Sequence, residues 1–283
     1  MIILMFIVFL IIIVSLFLLI IRPLELGRQY TSTTPVHTTS IPITLKPVKQ
    51  CNVTIIVDNY PNNLISTWGL SILIDTPSSR ILFDTGPNPE VLRKNMEILG
   101  IDPRSIDFIV LSHEHGDHIG GLSYVVDVNP GIKVYVPSGM SKYVKNNIKG
   151  LGAVIIEVNR TMIIADGVAI IGEMYGPPWE QALAVYVDGK GLIVFVGCSH
   201  PGVLRIVDKA ISDLNIKVYM VIGGFHMAGS PPSECYRVIN KLIDYGVEYI
   251  APIHCSGDCI RSILASSYPD HYMELHVGSF IKI

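Results

Sequence analysis

Charged residues are scarce in this sequence of 283 residues, at 16% of the chain against 49% for hydrophobic residues. That balance excludes disordered and highly charged proteins, which carry a large excess of charge over apolar residues. Basic residues are also not in excess, because 21 Lys and Arg stand against 24 Asp and Glu and give a formal net charge of −3. Nucleic acid is therefore not indicated as a partner.

Cysteine is rarer still. The chain has five cysteines, which are Cys51, Cys198, Cys235, Cys255 and Cys259. They are too few and too scattered for a disulfide framework, and their odd number leaves at least one unpaired. The sequence therefore leaves the redox compartment open.

Charge is wholly absent from residues 1–21. As a helix rising about 1.5 Å per residue, this apolar run covers roughly 30 Å, the thickness of the hydrocarbon core of a bilayer. We expect a single-pass transmembrane anchor rather than a signal peptide, since a basic start and a small-residue cleavage site are missing. Arg22 and Arg28 follow the run, so the positive-inside rule predicts a cytoplasmic domain. The glycosylation-type triplets Asn52-Val53-Thr54 and Asn159-Arg160-Thr161 leave an extracellular domain open.

Two further regions follow the anchor. Residues 22–50 are rich in Thr, Ser and Pro and are predicted to form an extended linker. Residues 51–283 are predicted to form one folded domain, in which β-branched runs alternate with turn clusters and amphipathic helices. Strands are predicted at 53–57, 70–75, 81–84, 108–112, 133–136, 192–196, 218–222 and 249–253, and helices at 89–99, 201–214 and 231–245. This alternation is typical of a layered α/β domain.

The most informative segment is Leu-Ser-His-Glu-His-Gly-Asp-His at residues 111–118, where three of the nine histidines fall within six residues. His113 and His115 lie two apart on a loop that leaves a strand, so both imidazoles can bind one divalent cation. Asp117 and His118 then turn toward a second cation position. Two cations roughly 3.5–4 Å apart lower the pKa of a shared water toward neutrality, which is the chemistry of a hydrolase.

The string His-x-His-x-Asp-His after a hydrophobic strand, preceded by Ile-Leu-Phe-Asp-Thr-Gly at residues 81–86, resembles the metallo-β-lactamase superfamily. The resemblance implies an αββα sandwich with a dinuclear metal site at one edge of its two sheets. It also implies that Asp84 holds the histidine loop and is not itself a ligand.

Further strings narrow the resemblance to the dihydropterin synthase-like branch of that superfamily. They are Val57-Asp58-Asn59, Trp68-Gly69-Leu70-Ser71, Gly197-Cys198-Ser199-His200-Pro201-Gly202, Gly223-Gly224-Phe225-His226 and His254-Cys255-Ser256-Gly257. Members of this branch are linked to methanopterin assembly, in which a dihydropterin-methyl diphosphate is joined to a ribofuranosyl-aminobenzene phosphate.

The chain departs from the wider superfamily where a metal-bridging aspartate usually closes a strand as Gly-Asp. Here the strand at 192–196 leads into Cys198 and His200. His200 is the favoured ligand, because histidine is the commoner partner in a mixed N/O site. Cys198 is favoured as a small buried residue at a strand end, with a thiolate ligand as the alternative. Glu180 occupies a region where many members carry another histidine ligand, which makes His200 more necessary.

Two other histidines follow predicted strands. His254 ends the strand at 249–253, and we expect it to complete the second cation's ligand set. His226 follows two glycines that allow a close backbone approach, and it is open between a ligand, a proton donor, a substrate contact and a structural histidine. Glu114 is expected to face away from the metals, because side chains alternate in an extended segment.

The predicted metal ligands are therefore His113, His115, Asp117, His118, His200 and His254, with Asp117 and His226 as catalytic residues. The ligand set favours two divalent cations, with zinc first and iron or manganese as alternatives.

The expected function is a dinuclear metal hydrolase that uses a metal-bound hydroxide on an ester or phosphoester, and the alternative is a transferase of the dihydropterin synthase type. A metal-free binding module is the third hypothesis, which the intact histidine cluster disfavours. The expected substrate is a small molecule, pterin-like or phosphorylated. Tyr175, Trp179 and Phe225 either stack on its flat ring or pack in the core.

Overall fold

The computed structural model describes residues 44–283. Its strands are β1 (Asn52–Val57), β2 (Ser71–Asp75), β3 (Arg80–Phe83), β4 (Phe108–Val110), β5 (Lys133–Pro137), β6 (Val154–Val158), β7 (Met162–Ala165), β8 (Val168–Tyr175), β9 (Trp179–Val187), β10 (Gly191–Val196), β11 (Val218–Gly224), β12 (Tyr249–Ile253) and β13 (Phe280–Lys282). Its helices are α1 (Pro89–Ile98), α2 (Gly116–Ile119), α3 (Leu122–Val128), α4 (Lys142–Gly150), α5 (Val203–Leu214), α6 (Pro232–Asp244) and α7 (Asp258–Ser267).

The transmembrane anchor predicted at residues 1–21 lies outside the described residues. Its membrane attachment and the cytoplasmic side of the domain therefore stay predictions. Between residues 44 and 283, the structure contains no helix that is both long enough and apolar enough to cross a bilayer.

The strands form two sheets. The first has the order β13-β1-β2-β3-β4-β5-β6 and the second the order β12-β11-β10-β9-β8-β7. Strands β3 to β6 pair in parallel, as do β10, β11 and β12, whereas the other pairs are antiparallel. The carboxyl ends of each parallel set therefore lie at one edge of its sheet, which is where α/β proteins place their ligand sites.

The central strands are apolar on both faces, because each sheet packs against the other sheet on one face and against helices on the other. In β2, Ile72 and Ile74 face the core between the sheets, and Leu73 faces the core beneath helices α1, α3 and α4. Helices α5, α6 and α7 cover the outer face of the second sheet in the same way. Phe83 and Phe195 meet across the inner core with ring centroids 6.4 Å apart. These layers confirm the predicted αββα sandwich.

The folded domain includes residues that the sequence assigned to the linker. Leu45 and Val48 are buried, and Val48 donates its backbone N–H to the Tyr186 carbonyl at 2.8 Å and accepts from the Asp188 N–H at 2.9 Å. The domain therefore begins before residue 51, the boundary that the sequence indicated. Prolines mark this segment as non-helical, but they carry no information about which apolar side chains dock on the sandwich.

Candidate metal centre

The histidine loop leaves the carboxyl end of β4 and leads into the short helix α2. His113 and His118 are buried, with ring centroids 4.1 Å apart, whereas His115 is exposed. The Nε2 atom of His113 lies 3.1 Å from Nδ1 of His115, so two imidazole nitrogens face the same point. Burial, followed by the neighbouring His118, holds the pKa of His113 well below its ordinary value. The ring is therefore neutral, as a metal ligand must be.

Asp84 fixes the orientation of this loop. Its Oδ1 accepts the Ser112 backbone N–H at 2.7 Å, and its Oδ2 accepts the Ser112 hydroxyl at 2.6 Å and lies 2.7 Å from His118 Nδ1. The carboxylate thus holds one nitrogen of His118 and leaves Nε2 free for a cation, which is the usual arrangement behind a metal-bound histidine. Asp84 is fully buried and has no ligand role here, as the resemblance implied.

Asp117, His118 and His254 form the first group of ligand atoms. Asp117 Oδ2 lies 3.3 Å from His254 Nε2 and 3.6 Å from His118 Nε2. Burial alone would raise the pKa of Asp117, but the neighbouring His254 and the charge of His118 outweigh it and lower that pKa. The carboxylate is therefore ionised, and it supplies the negative charge that a divalent cation needs.

His254 is held from behind by two residues. Its backbone N–H donates to Asp58 Oδ1 at 2.8 Å, and the Trp68 ring packs with its centroid 4.9 Å from the imidazole centroid. Both ring nitrogens of His254 are buried without a hydrogen-bond partner among the described residues. Asp58 and Trp68 both lie in the strings that carry the resemblance, but neither could be assigned a structural role from the sequence alone.

His200 lies on the other side of the cluster, with its ring centroid 4.8 Å from those of both His113 and His115. Its buried Nε2 also has no partner in the part of the chain that the structure describes. The three imidazoles therefore form a second group around one point.

The role of Glu180 in the site was not predicted from the sequence. It is buried at the start of β9 and accepts the backbone N–H groups of Ser199 at 2.8 Å and His200 at 2.7 Å. Burial raises the pKa of Glu180 to about 7, against the opposing effect of these two donors. Glu180 is thus a positioning residue for His200, in a region where many superfamily members carry a histidine ligand.

Cys198 lies between the two groups. Its Sγ is 3.2 Å from His118 Nε2, and it belongs both to a cluster with Asp117, His118 and His254 and to a cluster with His113 and His200. Within each cluster, the ligand atoms lie within 4.8 Å of one another. The end of β10 packs closely against the start of the histidine loop. This approach depends on Gly197, because a Cβ there would lie 2.2 Å from Ser112 Oγ. The geometry therefore favours Cys198 as a ligand over a merely buried thiol.

The unpartnered nitrogens of His200 and His254 test whether cations fit here. Buried polar atoms are normally hydrogen-bonded, and leaving one without a partner costs about 1–3 kcal/mol. A cation in each of the two groups would give His200 and His254 the partner that each lacks. Imidazole, carboxylate and thiolate together suit zinc, and also iron or manganese. The structure thus brings all six predicted ligands together.

His226 stands at the rim of this cluster. It is exposed, and its ring centroid lies 4.5 Å from that of His200. Beside it opens a cavity of about 400 Å³, which His200, His226, Arg205, Phe225 and Arg237 help to line. A hydrogen bond to Cys255 raises the pKa of His226 above its ordinary value, although partial burial opposes this shift.

The remaining candidates lie outside the cluster. Glu114 points away and accepts the Ser141 backbone N–H at 2.6 Å. Tyr175 and Trp179 are exposed and pack on each other, with ring centroids 5.3 Å apart. Phe225 is buried in the core beneath the helices and reaches only the cavity wall.

Comparison with known proteins agrees with this geometry. The family model of the metallo-beta-lactamase superfamily matches residues 69–252. The chain belongs to that superfamily. It is 30% identical, over 79% of its own length and 92% of the relative's, to the 7,8-dihydropterin-6-methyl-4-(beta-D-ribofuranosyl)-aminobenzene-5'-phosphate synthase of Methanocaldococcus jannaschii.

Solved structures of the metallo-beta-lactamase superfamily share the fold. A metal-dependent hydrolase of the beta-lactamase superfamily has a TM-score of 0.71 and 26% identity, covering 82% of this chain and 99% of its own. A diphosphatase of the PhnP family has a TM-score of 0.57 at 12% identity, covering 83% and 98%, and this likeness concerns the fold alone. The metallo-beta-lactamase fold of the chain is thus established.

The part of the metal-free protein's stability that depends on His200 is expected to be lost as the pH falls from about 6.5 toward 4. Burial, with the neighbouring His226 and His115, lowers the pKa of His200 to about 4, and His113 is shifted in the same direction. Between these values the unfolded chain binds protons that the folded chain does not, so acidification favours unfolding. Urea unfolding of the chelator-treated protein at pH 7 and pH 5 measures the difference in midpoint.

The variant His200→Gln isolates this effect, because it should show a smaller fall in midpoint between the two pH values. His271→Gln, which lies outside the cluster, should behave like the parent protein. His118 acts in the opposite sense. Burial lowers the pKa of His118, but Asp84 outweighs burial and raises it. The contribution of His118 to the stability of the folded chain is therefore lost as the pH rises. An unchanged pH dependence in His200→Gln would contradict the prediction.

Proposed function

We propose that this chain is a dinuclear metal-dependent hydrolase of a small phosphorylated or ester substrate. The observation that carries the proposal is the pair of ligand clusters that share Cys198. In the proposed centre, His113, His115 and His200 hold one cation, and Asp117, His118 and His254 hold the other. When bound, two such cations supply Lewis acidity and an activated water for displacement at an ester or phosphoester.

His226 is the residue that we assign to proton transfer. It stands between the ligand cluster and the 400 Å³ cavity, and its raised pKa favours the protonated form of the ring. A protonated imidazole at this rim donates to the oxygen of the departing group. The His226 ring packs against the ring of His200, which belongs to the ligand cluster. His226 therefore lies close enough to reach a substrate that is bound in the cavity and contacts the metals.

The cavity supports a small substrate with an anionic group. Its volume falls in the range of small-molecule sites, about 300–1,000 Å³. Arg205 and Arg237 lie in its wall, and guanidinium groups suit phosphate oxygens. Arg237 is already paired with Glu234 at 2.6 Å, whereas Arg205 contacts only the Pro201 carbonyl, at 3.2 Å, among the described residues. Arg205 is thus the cation available to a phosphate.

Similarity to the Methanocaldococcus jannaschii synthase supports a second candidate function. In that reaction the same cations would bind a diphosphate leaving group, and a carbon nucleophile of an aminobenzene ribofuranosyl phosphate would replace water. The ligand clusters serve either reaction, because both place a negative leaving group on the metals.

One assay tests the proposal and separates the two candidates. The purified, metal-loaded chain is incubated with a dihydropterin-methyl diphosphate, with and without the aminobenzene acceptor, and with a generic phosphodiester. Release of diphosphate without condensation, or cleavage of the phosphodiester, supports hydrolysis, whereas a condensed product supports transfer. His226→Gln should keep both cations and lower kcat about 10²-fold, the usual contribution of one proton donor. Absence of turnover with every substrate and metal would contradict both candidates.

A further inference from the structure

Two cysteines that the sequence left scattered meet between helices α6 and α7. Cys235 lies in the first half of α6 and Cys259 in the first turn of α7. Their Sγ atoms are 2.9 Å apart. A disulfide bond is about 2.05 Å long, so the two sulfurs need to approach by only about 0.9 Å to be joined.

The two helices are held together independently of the sulfurs. Ile239 and Leu242 of α6 share a core cluster with Ile260 and Leu264 of α7, all of them buried. The Tyr268 hydroxyl, just after α7, donates to Asn240 Oδ1 at 2.8 Å. Because close-packed interiors resist rearrangement, this contact keeps the thiols side by side.

The other described thiols are placed differently. Cys51 is fully buried in the core between the two sheets, and Cys198 and Cys255 lie among the candidate metal ligands. Cys235 is fully buried, but Cys259 is partly exposed to solvent. Cys259 is therefore the sulfur of this pair that a dissolved oxidant meets first.

We propose that Cys235 and Cys259 form an intramolecular disulfide when the protein meets a hydroperoxide. The Cys259 thiolate attacks the peroxide oxygen, the O–O bond breaks, and one water leaves as the sulfur becomes a sulfenic acid. The Cys235 sulfur then attacks that sulfenic sulfur, and a second water leaves as the S–S bond forms. Two thiols and one hydrogen peroxide thus give one disulfide and two waters, with two electrons passing from sulfur to oxygen.

This cross-link would restrict the segment that carries His254, one of the predicted metal ligands. The closed loop runs from Cys235 through β12 and His254 to Cys259. A cross-link across a loop of this length restricts the unfolded chain, and we expect Tm to rise by roughly 5 to 15 °C. The inference does not rest on the proposed function, since it needs neither cations nor substrate.

The experiment uses the full-length, metal-loaded chain in detergent, first reduced and then treated with one equivalent of hydrogen peroxide. Intact mass should fall by two hydrogens. Trypsin together with a protease that cuts before aspartate separates Cys255 from Cys259 at Asp258, so unreduced mapping identifies the bonded pair. The expected product joins the peptide of Cys235 to the peptide that begins at Asp258, and Tm rises.

The variants Cys259→Ser and Cys235→Ala should each lose both the cross-linked peptide and the rise in Tm, while Cys51→Ser keeps them. Cys259→Ser changes a partly exposed side chain, so its folding is checked against the metal content of the parent. Three results would overturn the proposal: a sulfinic acid on Cys259 with no cross-link, a bond between Cys198 and Cys255, or disulfides only between chains.

Discussion

Replacement of Asp117 by alanine is expected to lower kcat about 10³-fold and to leave one bound cation per chain in place of the two that we propose. Asp117 supplies the carboxylate of the cluster with His118 and His254, and its Oδ2 lies within 3.6 Å of a ring nitrogen of each. Without it, this cluster keeps only two imidazoles and the sulfur that it shares with the other cluster, and no carboxylate remains to hold a doubly charged ion. Lewis-acid stabilisation is worth several kcal/mol, and about 4 kcal/mol corresponds to a factor of roughly 10³.

Elemental mass spectrometry of the purified variant and steady-state kinetics measure the two parts of this prediction. Asp117→Asn keeps the shape of the side chain without its charge, and it should resemble the alanine variant. Asp127→Ala removes an exposed carboxylate from the neighbouring helix α3 and should leave both quantities unchanged. Two cations in Asp117→Ala, with kcat within about threefold of the parent, would exclude a ligand role for this residue.

The sequence predicted the layered fold because local patterns reflect local burial. Ile72, Leu73 and Ile74 are all apolar since helices cover one face of β2 and the second sheet covers the other. Pairing between distant segments leaves no such local pattern. The three residues of β13, which close the first sheet against β1, were not predicted, because so short a strand carries no recognisable period.

The histidine cluster could be predicted because its first members are close together in sequence and the others directly follow strands. His200 and His254 could be proposed because the residues that follow parallel strands meet at one edge of a sheet. Glu180 could not, because its role depends on backbone N–H groups of Ser199 and His200, 19 and 20 residues further along the chain. A buried carboxylate is recognised by its partners, and the sequence does not show them.

Backbone conformation at the site was also beyond the reach of the sequence. Asp84, Ser199, His226 and His254 all adopt positive φ, between 53° and 61°. Non-glycine residues rarely occupy this left-handed region, and such strain concentrates at functional sites. In this chain, four of the five described non-glycine residues with positive φ lie in or behind the metal cluster, and the fifth, Asn215, ends helix α5.

Replacement of Cys198 by serine is expected to lower kcat about 10²-fold and to abolish the thiolate-to-metal charge-transfer absorption of the cobalt-substituted protein. The Cys198 sulfur is common to both ligand clusters, so its loss weakens both cation positions at once. In the metal-free chain, a hydrogen bond with Cys255 and burial raise the pKa of the Cys198 thiol. A cation must therefore displace the thiol proton, which makes metal binding release protons in the parent chain.

Two controls separate a ligand from a buried thiol. Cys51→Ser changes a buried thiol that belongs to none of the candidate ligand groups among the described residues, and it should keep the absorption band. Cys198→Asp places at this position the type of side chain that bridges the metals elsewhere in the superfamily, and it should retain more metal than the serine variant. If the band survives in Cys198→Ser, the sulfur does not touch the metal, and the unpartnered nitrogens of His200 and His254 would then define two separate sites instead of one bridged pair.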